Sequence, residues 1–516
     1  MAGSVLGTRV QRKEDPKFLT TGGVYVDDLT DDVLVGAAHV AYARSAVAHG
    51  TILSIDVEAA KEMPGVIAVF TAEDLELEPV PSAFNPTVAR TYLASGTVRY
   101  VGEPVVAIVA ETAAQAADAA DTVFVDVDFL PTLVDVEAAM TSDTLLYPDA
   151  GSNVIIDTTA VGVPENTATD EFFADCEVVV TGRFMNQRVA PCPLEVRGSA
   201  AAWVDGRLFQ WVSTQHSQAI KDPIVAANGV EADAVRVIAP DVGGGFGAKI
   251  GTYPEEILLG PIATRIGRPV VWRETRSESM MCLGHGRAQL QYVTIGGSRD
   301  GRVTHLQEHV IQDCGAFGEL GTILPVAFGR PMTSAVYDIP NIEMRATSVV
   351  TNTTPTVAYR GAGRPEATAA AERAMDMFAA EIGMDAAEVR RVNLIPKFLE
   401  PHTTSIGQTY DVGDYEGALD KALEAAGYAE LRAEQARRRE AGDEKLLGIG
   451  VSVYVEVTGG VGDMSEAAKI EVLDDGSALV YTGTSPHGQG HDTAWSMIAT
   501  EQTGIPMDRI TLIWGD

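Results

Sequence analysis

The chain has 516 residues, 46% apolar and 21% charged, too long for one hydrophobic core and balanced as in globular proteins, so two to four domains are expected. Its 72 acidic against 38 basic residues give a net charge of −34, which disfavours nucleic acid and anionic membrane surfaces as partners. No apolar run is long enough for a membrane span, and Cys176, Cys192, Cys282 and Cys314 lack Cys-x-x-Cys spacing, so a reducing cytoplasm and no zinc ribbon or iron–sulfur cluster within this chain are expected.

The start carries Arg9, Arg12, Lys13, Glu14 and Asp15 without an apolar core, unlike a secretory signal. Residues 1–135 read as a small mixed α/β domain. The run 105–110 is a buried strand, and Thr112 with Gln115 has capping-box spacing for an alanine-rich helix to Asp121. Val123, Val125, Val127 and Phe129 alternate with Phe124, Asp126 and Asp128, giving a half-buried strand. Residues 136–169 have few strong patterns and read as a linker with helical pieces.

A larger α/β region follows over 170–444. Residues 208–212 form a strand whose end presents Ser213, Thr214, Gln215 and His216. After a second strand at 235–239, Gly243, Gly244, Gly245 and Gly247 surround Phe246. Glycine loses the most freedom on ordering, so this loop belongs where backbone must approach a ligand with no Cβ in the way. With the helical pattern at 254–265 it makes a strand–loop–helix anion cradle, the helix dipole facing outward, which points to a phosphate-bearing ligand. A strand at 269–272 and several β segments lead to Val350 and a second glycine loop at 358–365. Pro365 suits the first turn of a helix that stops at Gly383, and Asp385 with Glu388 caps the next. The charged stretch 430–444 is a solvated helix and linker.

A third region opens at 445, where 448–456 alternates like a strand. Strands at 468–473, 478–482 and 509–514 surround a helix at 492–503, preceded by a third glycine loop at 486–490. A domain of this pattern is expected to be incomplete at Asp516. The first loop departs from a P-loop at Ala248 and Ile250, but Gly243-x-Gly245-x-x-Ala248 with Glu274 meets a permissive dinucleotide fingerprint. A tight turn packing strand on helix is the structural alternative. Three such loops beside helix starts favour a ligand, and two carry polar side chains of fixed geometry. Arg360 offers a planar fork for phosphate, and Gln489 a paired donor and acceptor for a pterin-type ring edge or a metal-bound oxo group.

In this order Gly244-Gly-Phe-Gly247, Ala358-Tyr-Arg-Gly-Ala-Gly-Arg-Pro-Glu366 and Gly488-Gln-Gly490 closely resemble the large, molybdenum-binding subunits of the xanthine oxidase family, in its carbon monoxide dehydrogenase-like or aldehyde oxidase-like branch. Arg99-Tyr-Val-Gly-Glu-Pro104, Glu195-Val-Arg-Gly198, Asn393-Leu-Ile395 and Tyr410-Asp-Val-Gly-Asp-Tyr415 extend the resemblance over nearly the whole chain. It implies a multidomain α+β and α/β fold: an N-terminal hammerhead-type domain over 1–135, a linker over 136–169, a first molybdopterin-binding domain over 170–444 and the incomplete start of a second over 445–516. It implies molybdenum held by molybdopterin cytosine dinucleotide. Electrons would pass to partner chains, a small subunit with two [2Fe-2S] clusters and an FAD-binding medium subunit, and a further chain could supply the C-terminal molybdopterin domain.

By the same resemblance Gln215 lies near the molybdenum and its oxo or hydroxo ligands, and Phe246 sits against the metal between Gly244, Gly245 and Gly247. Arg360 and Gly361 help define the metal pocket, and Gly488, Gln489, Gly490 and Thr493 hold the dinucleotide. Two departures narrow the chemistry. Gly361-Ala-Gly363 has no cysteine for the copper of carbon monoxide dehydrogenases, and Ile250 replaces the acidic residue of purine-oxidising members. Oxidation of an aldehyde or N-heterocycle with water-derived oxygen is therefore expected. The family's catalytic glutamate falls beyond residue 516, and none is assignable here; Glu456 has no motif, and Glu366 reads as the favourable start of a helix. The alternatives are a non-catalytic assembly half-subunit and a nicotinamide-dependent dehydrogenase.

Overall fold

A computed structural model describes residues 4–158, 169–457 and 466–516. Its largest sheet has seven strands, in the order Val235–Ile238, Arg207–Val212, Gly198–Val204, Val270–Arg273, Ala38–Arg44, Pro104–Ala110 and Val66–Phe70. The two halves join where Ala38, His39 and Val40 pair in parallel with Val270, Val271 and Trp272. The N-terminal region and the one after it therefore share one sheet. Every residue of Pro104–Ala110 is buried, as an unbroken apolar run requires of a strand covered on both faces. Helices Ser217–Asn228 and Leu259–Ile266 cover one face through Ile220, Ile224, Leu259 and Ile262. Helix Ala113–Ala120 packs Ala119 on Val105 and Ile108 from the other face, and Thr112 caps it by accepting the Gln115 N–H at 3.2 Å.

Arg197 is buried within this assembly. It pairs with Glu274, reaches Glu255 at 3.2 Å and lies 4.1 Å from the Tyr253 ring centroid. Arg44 joins the network at 2.7 Å from Glu255 and 2.8 Å from Glu278. Burial pushes the Glu255 carboxyl up, but the Arg197 and Arg44 guanidiniums hold it down to about 2.

Strand Phe124–Phe129 pairs with Gly50–Asp56, and Val123, Val125 and Val127 face the core. Phe129 breaks the alternation and is 75% exposed: its cross-strand partner is Gly50, which offers no side chain to pack on. The segment read as a linker does contain helix Val136–Thr141, but it also contributes a strand, Val154–Asp157; residues 159–168 lie outside the described ones. That strand edges a second sheet of Val178–Asn186, Gln289–Gly297, Val303–Gly315 and Asn341–Val350. Helix Arg364–Ile382 backs it with Ala370, Ala374 and Phe378, and Gly383 ends the helix at φ 72°.

The expected strand at 448–456 is a correction. The segment is extended and turns Val451, Val453 and Val455 toward the core, but none of its described residues enters a ladder. The Val453 N–H instead donates to the buried Glu372 carboxylate at 3.1 Å. The last sheet, Ala468–Val472, Ala478–Thr482 and Ile510–Ile513, carries helix His491–Thr503 on one face.

Candidate functional site

The first glycine loop leaves strand Val235–Ile238 and is fastened at both ends. Asp241 accepts the Val24 N–H at 2.7 Å and ion-pairs with Lys17. Beneath the loop, buried Lys249 donates to Ser213 Oγ at 2.8 Å, the Glu195 carbonyl at 2.9 Å and Glu195 Oε2 at 3.0 Å, while the Gly243 N–H donates to that same oxygen at 2.7 Å. Burial lowers the Lys249 pKa and Glu195 opposes the shift. Gly244 and Gly247 stand at φ 92° and 97°, and Phe246 at 54° is left-handed without being glycine.

The loops touch one another. A Cβ on Gly247 would lie 2.6 Å from the Ala358 carbonyl oxygen, and one on Gly245 would lie 2.3 Å from Gln215 Oε1. That Oε1 accepts the N–H groups of Gly247 at 2.8 Å and Lys249 at 3.3 Å. The Arg360 N–H donates to the Phe246 carbonyl at 2.8 Å, and the Arg360 guanidinium carbon sits 5.7 Å from the Phe246 ring centroid, within cation–π range. Gly361, Ala362 and Gly363 are all left-handed, at φ 105°, 49° and 90°. Arg287 clamps this second loop, donating to the carbonyls of Tyr359 at 2.8 Å and Arg360 at 2.7 Å. It also pairs with Glu366 at 3.2 Å, so Glu366, buried in the first turn of its helix, is a strut of the loop.

The third loop joins the others through Gln215. The His487 N–H donates to Gln489 Oε1 at 2.7 Å, and His487 Nε2 lies 2.7 Å from Gln489 Nε2 and 3.2 Å from Gln215 Nε2. Thus Gln215, Phe246, Arg360 and Gln489, drawn from three distant stretches, share one region. Sequence reasoning named these four and missed His487, Glu195, Lys249 and Arg287. His487 stood inside the third loop, where its ring was a visible signal; Glu195 and Lys249 lay within quoted stretches whose supporting role only the contacts reveal, and nothing in the sequence marks Arg287.

Two expectations about helix ends are revised. Helix Pro254–Ile257 begins well after Gly247, and its own Glu255 and Glu256 occupy its first turn, so its dipole is not free for an anion at the first loop. At helix His491–Thr503, the Thr493 N–H and hydroxyl donate to the Glu14 carboxylate at 3.0 and 2.6 Å, so both Thr493 donors are taken within the chain. The dinucleotide alternative also loses its acidic residue, because Glu274 is buried and engaged by Arg197.

Three family models match the chain: the aldehyde oxidase and xanthine dehydrogenase a/b hammerhead domain over 20–131, and molybdopterin cofactor-binding domains over 146–394 and 421–516. A carbon monoxide-reduced Cu,Mo-CO dehydrogenase superposes with a TM-score of 0.90 at 32% identity, over 99% of this chain and 67% of that one. This chain belongs to the xanthine oxidase family of molybdenum-binding large subunits. Within that family it is 35% identical to the carbon monoxide dehydrogenase large chain of Hydrogenophaga pseudoflava, over 98% of its own length and 66% of the relative's. It is 34% identical to the nicotine 6-hydroxylase large subunit of Paenarthrobacter nicotinovorans, over 99% and 64%. Quinoline 2-oxidoreductase from Pseudomonas putida 86 superposes with a TM-score of 0.90 at 31% identity, over 99% and 66%. The chain spans about two thirds of the length of these curated relatives.

As a xanthine oxidase family member the chain has a hammerhead domain followed by molybdopterin-binding domains, and its cofactor is a molybdenum–molybdopterin group. The residues present fit that group. Among the described residues no acceptor meets the N–H groups of Gly245, Phe246, Gly361, Gly488 or Gly490. Gly488 has open space where a Cβ would stand, and the exposed Arg360 guanidinium adds a cation.

Proposed function

We propose that this chain is the molybdenum-binding large subunit, or half-subunit, of a hydroxylase or dehydrogenase that oxidises an aldehyde or N-heterocycle with water-derived oxygen. It works in the cytoplasm with an FAD-binding medium subunit, a small subunit carrying two [2Fe-2S] clusters and a source of the C-terminal molybdopterin domain. The convergence of Gln215, Phe246, Arg360 and Gln489 carries this reading. When bound, the cofactor, in its molybdopterin cytosine dinucleotide form, supplies the redox-active metal that accepts the substrate's electrons.

The chain's own residues hold and orient. The Gln215 amide, fixed at its oxygen by Gly247 and Lys249, directs its NH2 group into the site and would donate to an oxygen at the metal. Gly244, Gly245 and Gly247 would let backbone approach the bound group with no Cβ in the way, and the partly exposed Phe246 ring would pack against it. Arg360 and Gly361 wall the pocket, while Gly488, Gln489 and Gly490 take the dinucleotide; Thr493 acts on that loop through Glu14. No residue of this chain is assigned as the base. Gly361-Ala362-Gly363 provides no thiol for copper, and relatives named for nicotine and quinoline support an N-heterocyclic substrate.

Purified native complex should contain molybdenum and release cytidine monophosphate on acid hydrolysis. It should also reduce a dye with benzaldehyde or quinoline as electron donor. Molybdenum near background would overturn the reading, and a loaded complex inert toward both substrate classes would return the non-catalytic half-subunit.

A further inference from the structure

We infer that His487 is a positioning residue: a neutral imidazole, protonated on Nδ1, whose Nε2 lone pair holds the NH2 groups of Gln215 and Gln489 together and so sets the first and third loops in register. The inference rests on the proposed cofactor site and deepens it, and it starts from the two amides.

Each amide has its oxygen end fixed by backbone. Gln215 Oε1 accepts from Gly247 and Lys249, and Gln489 Oε1 accepts the N–H of His487 itself at 2.7 Å. The opposite ends are therefore NH2 groups, which donate and cannot accept. Both reach the same atom, His487 Nε2, at 3.2 and 2.7 Å. An atom receiving two donors carries no proton, so the ring proton is on Nδ1.

The surroundings keep the ring in that form. Burial lowers the His487 pKa to about 4, with the neighbouring His491 and Lys249 adding to the effect and the Ser485 backbone pulling the other way. Nδ1 is buried and unpartnered among the described residues, leaving a donor free for an acceptor brought by a ligand. Protonation of Nε2 would set three donors against one another, and both glutamines would have to leave. One lone pair thus ties Gln215 to a loop whose His487 lies 272 positions further along the chain.

Histidine-selective 15N NMR on the full chain tests the ring directly. The expected spectrum assigns His487, identified by its loss in His487→Asn, as a neutral Nδ1–H tautomer. An Nε2–H or doubly protonated ring at neutral pH would overturn the inference. In the native complex His487→Ala should keep its molybdenum but lose roughly tenfold in kcat with little change in KM, as expected for a misplaced reacting group. His487→Asn, whose amide oxygen can accept the same two donors, should recover most of that loss. An alanine variant with wild-type kcat, or an asparagine variant as impaired as alanine, would overturn the positioning role. Should the native complex lack molybdenum, the proposed function fails, and the NMR result still decides the state of His487.

Discussion

Gly247 shows how much of the site depends on single backbone positions. Its φ of 97° is strained for any side chain, and an added Cβ would press on the Ala358 carbonyl at 2.6 Å. Gly488, at φ 114°, has a similar conformation but open space around it. Gly247→Ala should cost about 1–3 kcal/mol from backbone strain alone, and it should separate the first two loops. The expected result is a lower Tm and most of the molybdenum lost, whereas Gly488→Ala should keep the fold. Calorimetry checks both; an equal fall in Tm in the two variants would count against the contact with Ala358. Glu308 illustrates a residue no motif could mark. Burial pushes its carboxyl up to about 8, and one of its oxygens has no partner. From the ordinary value of 4.5 up to about 8 the folded chain keeps a proton that the unfolded chain releases, so this group's contribution to stability falls as pH rises through that window. Glu308→Gln, neutral throughout, should match wild type near pH ~5 and exceed it by about 2–4 °C in Tm above pH ~8.

At the scale of elements, the N-terminal arm joins two loops of the site. Lys17 and Val24 hold Asp241 before the first loop, and Glu14 caps the helix after the third by accepting from Thr493. The Lys13 N–H also donates to Thr493 Oγ1 at 2.8 Å, and its ammonium to Ser496 Oγ at 3.0 Å. Glu14→Ala should cost about 1 kcal/mol, the usual worth of an N-cap. Hydrogen exchange should quicken across His491–Thr503 while Asp241, still held by Lys17, keeps its protection; unchanged exchange in that helix would refute the tie. Elements governed by local pattern were legible: the capped helix at Ala113–Ala120, the all-apolar strand Pro104–Ala110 and the helix that stops at Gly383 follow from neighbouring residues. Elements that need a distant partner were less so. The segment 448–456 has the alternation of a strand and buries the matching side chains, but alternation reports a face and carries no information about a ladder. Val154–Asp157 was hidden for the converse reason, since four residues pairing along Asn341–Val350 leave too short a pattern to read. The same division holds in the site: Phe246, Arg360 and Gln489 lie in glycine-marked loops and Gln215 at the end of a readable strand, while Arg287 supports them from an element with no local mark.

For the whole molecule, the seven-stranded sheet decides how the chain comes apart. Reading the sequence put a boundary near 135, because few strong patterns follow it over 136–169. Yet Ala38–Arg44 takes Val270–Arg273 as its parallel neighbour, and Arg44 reaches across to Glu255 and Glu278 at 2.7 and 2.8 Å. A fragment of residues 1–135 would lose that strand pairing and strand the Arg44 guanidinium without its partners. Removing the partner of a buried ion pair costs about 3–5 kcal/mol, a large part of the roughly 5–15 kcal/mol that holds a domain folded. The fragment alone should therefore fail to unfold cooperatively. In the full chain, one calorimetric transition should report both regions, detectable together by the near-ultraviolet signals of Tyr42 and Trp272, whose rings meet edge-on at 5.9 Å. Arg44→Met removes the buried cation and leaves Glu255 with Arg197, so it should lower that single transition without splitting it. Two resolved transitions in the wild-type chain, with the 1–135 fragment reproducing one of them, would show that the shared sheet does not couple the regions.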